Sequence, residues 1–367
     1  MDLSQGVLAI DVGSGTQDIL VWQQGTTPEN CPKMIVPSAT AAMASLIERA
    51  TEKGYDIFLS GRTMGGGPCT RAVRRHLKAG LKLFAMREPA LTFHDDLDKV
   101  KAMGVQIVDS RPDTEPLTEL EMGDIDIEAI HGTLGLFHVA IPGIVAISVQ
   151  DHGFSPAESN RAFRFRQWKR LLESGDGLES LLYQSPPEHL TRMKSVVESV
   201  PGAWVMDTSA SAILGALQDP WVASKREEGV TIVNIGNEHT VVALVKGQEI
   251  WGIYEHHTSL LAPVKLKDHL DRFRKEGLTN QEIFEDMGHG CQVTPGARKV
   301  SLFKHLTMTG PNREKFASLK GHMAAPFGDM MLTGCFGLVE AVRRRKLDRL
   351  EPIGGDAFFA DREDGKD

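Results

Sequence analysis

Alternation and β-branching in Val7 to Val12 and in Gln17 to Trp22 predict two paired strands. The turn between them centres on Gly13 and Gly15, residues suited to backbone angles closed to others. "PKMIVPSAT" reads as a third strand, and "TAAMASLIERATEKG" as a helix stopped near Gly54. "YDIFLSG" is a buried strand, followed by the Gly-rich "GRTMGGGP", with Pro68 opening a helix that ends around Gly80. "LKLFAM" is the next strand. Residues 88–130 read as acidic and loop-rich, with one strand at "GVQIVDS". "PGIVAISVQDHG" runs from a strand into a polar loop. "AESNRAFRFRQWKRLLES" has the pattern of a basic amphipathic helix, read as a solvated face over core contacts.

In the second half, "AWVMDTSASAILGAL" combines a strand with a helix opened by Asp207, Thr208 or Ser209, all good N-caps. "GVTIVNIGNEHTVVALVKGQEIWGIYE" then gives strand, glycine-bearing turn, strand, turn, strand. This is the opening arrangement again, with Asn234, Gly236, Asn237 and Thr240 in the places of Asp11, Gly13, Ser14 and Thr16. "FKHLTMTGPN" is a strand leaving into Gly310-Pro311-Asn312, and "PFGDMMLTGCFGLVEAVRRR" supplies a helix rich in small residues. Arg343, Arg344 and Arg345 fall in its last turn, where cations suit the dipole. From Glu351 onward the chain reads as a frayed tail. Helix and strand patterns alternate throughout, the mark of an α/β protein, and 367 residues suffice for two domains.

Net charge is -8 and no Lys/Arg stripe interleaves with aromatics, so nucleic acid is not expected as the main partner. No apolar run reaches membrane-spanning length, and no export signal is apparent, so a cytoplasmic protein is expected. Cys31, Cys69, Cys291 and Cys335 lie far apart, which argues against a zinc knuckle or a disulfide framework.

The first hairpin tip brings amide hydrogens, hydroxyls and carboxylates together. Its N–H groups can cradle phosphate while a carboxylate holds magnesium; the competing reading is an ordinary hairpin. Two such hairpins facing each other across a cleft can clamp a polyphosphate from both sides, which neither can do alone. Asp11 is then the magnesium-side carboxylate, with Gly13, Ser14, Gly15 and Thr16 for phosphate contacts. Asp18 is either a second carboxylate behind it or a cross-strand contact. Gly236, Asn237 and Thr240 hold the opposite side, with Thr240 equally readable as a plain strand residue.

Gln150, Asp151 and His152 leave a strand together and are candidates for activating water or a hydroxyl. Alternatively, Asp151 caps the following helix and His152 is a satisfied loop histidine. In the Gly-rich loop, Thr63, Gly65, Gly66 and Gly67 suggest close approach to a substrate anion also met by Arg62 or Arg71; a flexible lid is the rival account. "FHDD" at 93–96 and His256-His257 are read as surface polar groups.

The order of these parts resembles the actin, hexokinase and heat-shock chaperone superfamily of ATPases. "DVGSGTQD" is similar to its first phosphate loop, "VNIGNEHT" to the second, "LTMTGPN" to the adenosine loop, and "VMDTSASAILGAL" and "MLTGCFGLVEA" to the two connecting helices. "VAISVQDHGFSPAESNRAF" resembles the strand, loop and helix that chaperone ATPases place late in domain one. The resemblance implies two ribonuclease H-like domains, 1–205 with an insert near 88–130 and 206–350, followed by a flexible tail, with ATP and Mg2+ in the cleft between them. It implies that Gly236, Asn237, Glu238, His239 and Thr240 face the phosphates, that Gly310, Pro311 and Asn312 face the nucleoside, and that Asp207 holds a water on magnesium. Asn234 stands where the superfamily carries aspartate, and Pro311 removes one backbone donor.

The activity so implied is that of an ATPase or small-molecule kinase. The alternatives are a non-catalytic nucleotide or metabolite sensor, and an ATP-driven activator of a partner enzyme docking at residues 112–128. The chain also resembles a prokaryotic family labelled a putative pyruvate formate-lyase activating enzyme. That label implies radical chemistry at an iron–sulfur cluster, which needs closely spaced cysteine ligands.

Overall fold

The computed structural model describes residues 6–346. The tail expected from Glu351 onward lies outside the described residues. In chain order the strands are β1 (Gly6–Val12), β2 (Thr16–Gln23), β3 (Lys33–Pro37), β4 (Asp56–Gly61), β5 (Leu83–Ala85), β6 (Val105–Ile107), β7 (Leu117–Met122), β8 (Ile144–Val149) and β9 (Trp204–Asp207). There follow β10 (Val230–Ile235), β11 (His239–Lys246), β12 (Glu249–His257), β13 (Gly290–Val293), β14 (His305–Thr309) and β15 (His322–Met323).

The first sheet has the order β3-β2-β1-β8-β9. Its first three strands are antiparallel to one another, while β8 runs parallel to β1 and β9 parallel to β8. The second sheet repeats this order as β12-β11-β10-β14-β15, with the same mixture of antiparallel and parallel pairs and with β13 added outside β12. Both are ribonuclease H-like sheets, so the α/β class and the duplication read from the sequence are present in the structure. In β1 and β2 nearly every residue is buried. Helices cover both faces of such a sheet, and its central strands are therefore apolar in runs rather than in alternation.

A third sheet, β6-β5-β4-β7, is entirely parallel and has its own core around Ile47, Ile57, Leu59, Val73 and Leu83. The segment 88–130 is thus more ordered than its composition suggested. It contributes β6, β7 and the helix Leu97–Ala102 to a unit that begins well before it.

The helices Thr208–Ala216 and Thr333–Lys346 join the first two sheets. Their residues share a single core with Val7, Leu20, Val230 and Val241, which come from both sheets. The helices cross at backbone contact distance and reciprocally. A Cβ on Gly215 would lie 1.7 Å from the Thr333 carbonyl oxygen, and one on Gly337 would lie 1.7 Å from that of Ser211. The last helix begins at Thr333, later than the small-residue pattern suggested, because Pro326–Gly328 forms a separate 3-10 turn with Phe327 at φ 51°. No helix among the described residues is long and apolar enough to cross a membrane.

Gly215→Ala and Gly337→Ala are each expected to destabilise the protein by about 2–3 kcal/mol, because the crossing cannot widen without opening the shared core. Urea unfolding measures this. Gly132→Ala, in a helix where nothing lies within 4 Å of the added carbon, is the control and should leave stability unchanged or slightly raised.

Candidate functional site

The two glycine turns have the same construction. Gly13 N–H donates to the Thr16 carbonyl at 2.9 Å, and Gly236 N–H donates to the His239 carbonyl at 2.9 Å. The strand registers close one step further out, with Val12 opposite Gln17 and Ile235 opposite Thr240. The structural counterpart of Thr16 is therefore His239, one residue earlier than the sequence pairing with Thr240. Thr240 is a buried strand residue whose hydroxyl meets that of Thr258 at 3.0 Å, so its phosphate-contact reading is replaced by the structural one.

Neither Gly13 nor Gly15 has positive φ, contrary to expectation. Space is what requires glycine at position 15: a Cβ there would lie 2.4 Å from Asn237 Nδ2 on the opposite turn. Asn312 completes the convergence, its side-chain amide donating to the Gly236 carbonyl and to Asn237 Oδ1 at 3.0 Å each. The three loops read from the sequence as phosphate- and nucleoside-facing thus meet at one place.

At that junction a small cavity of about 100 Å³ is lined by Asp11, Thr16, Asp18, Asn234, Gly310 and Pro311, among others. Asp11 sits directly across the hairpin from Asp18. Asp11 Oδ1 accepts from the hydroxyls of Ser148 and of Thr208, the latter at 2.7 Å. Asp18 Oδ1 is buried and has no hydrogen-bond partner. Burial pushes the Asp18 carboxyl up to about 8, with the facing Asp11 adding to the effect, and burial raises Asp11 as well. Two opposed carboxylates, one with an orphaned buried oxygen, form a hard oxygen donor set that fits Mg2+. In the second hairpin the equivalent positions are Asn234 and Val241. A hard cation such as Mg2+ would therefore be held from the first hairpin.

The cavity adjoins a wider cleft of about 390 Å³. Its walls bring together Gly13 and Ser14, Thr63 with Gly65 to Gly67, Gln150 to His152, and Gly236 to His239. Arg71 pairs with Glu238 at 3.0 Å, linking the helix Gly67–Lys78 to the second hairpin. His94 and Asp95 also line the cleft, so "FHDD" is not simply surface polarity. Arg62 does not reach it. Its guanidinium pairs with Glu198 and Glu88 beside a separate cavity of about 1000 Å³, and the substrate-anion reading for Arg62 is corrected accordingly.

Four further residues differ from expectation. The Asp207 carboxylate N-caps the helix Thr208–Ala216 through Ser209 N–H at 2.9 Å and pairs with Arg164 at 2.7 Å, so it is committed to these contacts rather than to a water on magnesium. Asp151 accepts from Gly153 N–H at 2.8 Å and from Met193 N–H at 3.0 Å. It does not cap the following helix, the role its alternative reading gave it; it meets instead an amide in the first turn of the helix Thr191–Ser199. His152 is not paired with Asp151; its Nε2 faces His289 Nε2 at 3.0 Å. His256 is fully buried against Asp286 at 3.0 Å, which overturns its surface reading.

The residues that sequence reasoning missed are Arg164, Glu255 and His289. Arg164 is 3% exposed and pairs at 2.7 Å with both Asp207 and Glu255. Burial works against its charge, and the two carboxylates outweigh it. Glu255 also accepts from Gln150 Nε2 at 2.7 Å, and Gln150 Oε1 lies 2.6 Å from His239 Nδ1. Nothing in the local pattern marks these residues: Arg164 and Glu255 lie within an ordinary helix and strand, and His289 in the loop before β13.

A family profile described as "Putative pyruvate format-lyase activating enzyme (DUF1786)" matches residues 64–315. Among curated proteins, none matches the chain. Solved structures with a similar course include the activator of the 2-hydroxyisocaproyl-CoA dehydratase from Clostridium difficile with bound ADPNP, at 10% identity, 93% of this chain, 97% of that chain and TM-score 0.32. The Acidaminococcus fermentans (R)-2-hydroxyglutaryl-CoA dehydratase component A overlaps at 11% identity, 92% of this chain, 100% of that chain and TM-score 0.32. An exopolyphosphatase-like protein overlaps at 8% identity, 84% of this chain and TM-score 0.29, and the chain covers 66% of its length, just under two thirds. The fold assignment rests on the strand order and not on these overlaps.

The raised Asp18 pKa sets a pH dependence. Between about 4 and about 8 the folded protein holds a proton that the unfolded chain has released, so stability falls as pH rises through that window. Asp18→Asn should therefore raise Tm by a few degrees near pH 8 and change it little near pH 4, as read by calorimetry. Arg164→Ala should cost about 3–5 kcal/mol by leaving two buried carboxylates uncompensated, and Arg164→Lys should recover only part, since an ammonium lacks the guanidinium fork. Denaturant midpoints measure both.

Proposed function

This chain belongs to the family matched over residues 64–315, and on that premise we propose that it binds a magnesium nucleotide, ATP first, between its two glycine turns and transfers or hydrolyses the terminal phosphoryl group. The observation that carries this reading is the meeting of two turns of identical construction at one space, with the Asp11–Asp18 pair at its inner end. The amides of Ser14 and Gly15 and the hydroxyls of Ser14 and Thr16 would hold one side of the phosphates and the Asn237 amide the other, the Gly13 and Gly236 N–H groups closing their own turns. Bound at the carboxylate pair, magnesium would supply neutralisation of phosphate charge. The cleft and its inner cavity together fall at the lower end of the range for ligand sites, about 300–1,000 Å³. A domain division at 205/206 accords with this reading, since it falls just before the helix Thr208–Ala216 that enters the shared crossing.

The family's description points to another chemistry, and the residues do not fit it. Cys31 and Cys335 lie in one core, Cys69 in a second and Cys291 in a third. All four are buried, burial pushes Cys69 and Cys291 up to about 12, and no cysteine belongs to a cluster of metal-ligating groups among the described residues. No step through an iron–sulfur cluster is derived.

A second reading, a nucleotide sensor without turnover, is favoured by one observation: Gln150, Asp151 and His152 are each committed to other protein groups. Phosphoryl transfer depends mostly on positioning and charge, so this does not by itself remove catalysis.

Calorimetric titration of the full chain with ATP and ADP, each with and without Mg2+, tests the binding. Mg2+-dependent binding that Asp11→Asn weakens about tenfold or more is expected, the loss of one carboxylate from a hard cation being worth about 1.4 kcal/mol or more. Phosphate release under the same conditions separates turnover from sensing. Absence of binding by either nucleotide would remove both readings.

A further inference from the structure

We propose that His152, His239 and His289, together with Glu255, form a binding site for a nitrogen-preferring divalent transition ion such as Zn2+ at the floor of the cleft, distinct from the Asp11–Asp18 pair. The four side chains come from four separate places: the loop after β8, the first residue of β11, the body of β12 and the residue before β13. One ligand atom from each lies within 4.8 Å of all the others. The His152 and His289 Nε2 atoms are 3.0 Å apart, close to the roughly 3.4 Å between ligands of a four-coordinate ion held at about 2.1 Å.

The arrangement is not explained as a satisfied core. His289 Nδ1 is buried and has no hydrogen-bond partner; the ring's polar contact is that of Nε2 with His152, and the rings of His239 and His257 pack against it at 4.7 and 4.9 Å. The His239 tautomer is fixed from outside. Gln150 gives its amide hydrogens to Glu255, so its carbonyl oxygen must accept from His239 Nδ1–H, which leaves Nε2 of that ring as a lone pair. A ligating histidine characteristically donates its other ring N–H to such a carbonyl. Charge points the same way: the single guanidinium of Arg164 faces two carboxylates, Asp207 and Glu255, leaving one buried negative charge uncompensated beside the imidazoles.

Imidazole donors select ions such as Zn2+ or Co2+ over Mg2+. His152 and His239 line the cleft while His289 and Glu255 are buried behind them, so the site is reached from the cleft. His257, its ring 4.9 Å from those of both His239 and His289, stands at the rim. An ion here would tie the loop after β8 to the second hairpin.

The test is titration of the chelator-treated full chain with Co2+ and Zn2+, followed by visible absorption, calorimetry and metal analysis after gel filtration. The expected result is one ion per chain, the d–d absorption of a low-coordinate Co2+ site, displacement by Zn2+, and no displacement by excess Mg2+. Gln150→Ala should weaken binding about 10–100-fold through the freed His239 ring. The double variant His152→Gln/His239→Gln should lose stoichiometric binding while circular dichroism shows it folded. Asp11→Asn should bind Co2+ as the parent does, so this outcome is separable from that of the nucleotide titration. Co2+ that stays octahedral and washes away, equal binding by the folded double variant, or loss on Asp11→Asn would each overturn the proposal.

Discussion

A guanidinium shut away from water must find its counter-charges inside the protein, and Arg164 finds them on two different sheets. Asp207 closes β9 of the first sheet, and Glu255 lies in β12 of the second. Pairing of this kind roughly balances the cost of desolvation, so its contribution is to geometry more than to net stability. Each partner is then used again. Asp207 caps the helix that carries the Gly215 crossing, and Glu255 orients Gln150, which in turn fixes His239 at the tip of the second hairpin. One buried charge, carried on a helix that belongs to neither hairpin, thus links the two sheets behind the turns.

The duplicated sheets are alike in order but not in chemistry. Both turns close through the same amide-to-carbonyl bond, yet only the first has facing carboxylates. The second has Asn234 and Val241 there, and it brings His239 to the place of Thr16. One hairpin is thus suited to a hard cation and the other to neutral hydrogen bonding and imidazole chemistry. Held together by Asn312 and by the Gly15–Asn237 approach, they make a cleft whose two ends differ in the ions they favour.

The sequence by itself determined the parts whose cause is local. Strand and turn patterns at Val7 to Trp22 and Val230 to Glu255, the N-cap at Asp207, and Pro68 in the first turn of its helix all act within a few residues, and the observed elements lie where those patterns put them. The repeated glycine turn was legible because both copies obey the same short-range rule. Its register was not, since a one-residue offset between Thr240 and Thr16 depends on where the strands pair.

Tertiary structure alone decided which polar groups remain available. Asp151, Asp207 and Arg62 have the composition of site residues, and each is taken up by a partner 42, 43 or 136 positions away. Arg164 reads as solvated on a basic helix and is buried beside the cleft floor, while His152, His239, Glu255 and His289 share no local pattern at all. Packing chooses these neighbours because a buried charge or imidazole is stabilised by whatever the fold brings within hydrogen-bond distance, and that distance has no counterpart along the chain.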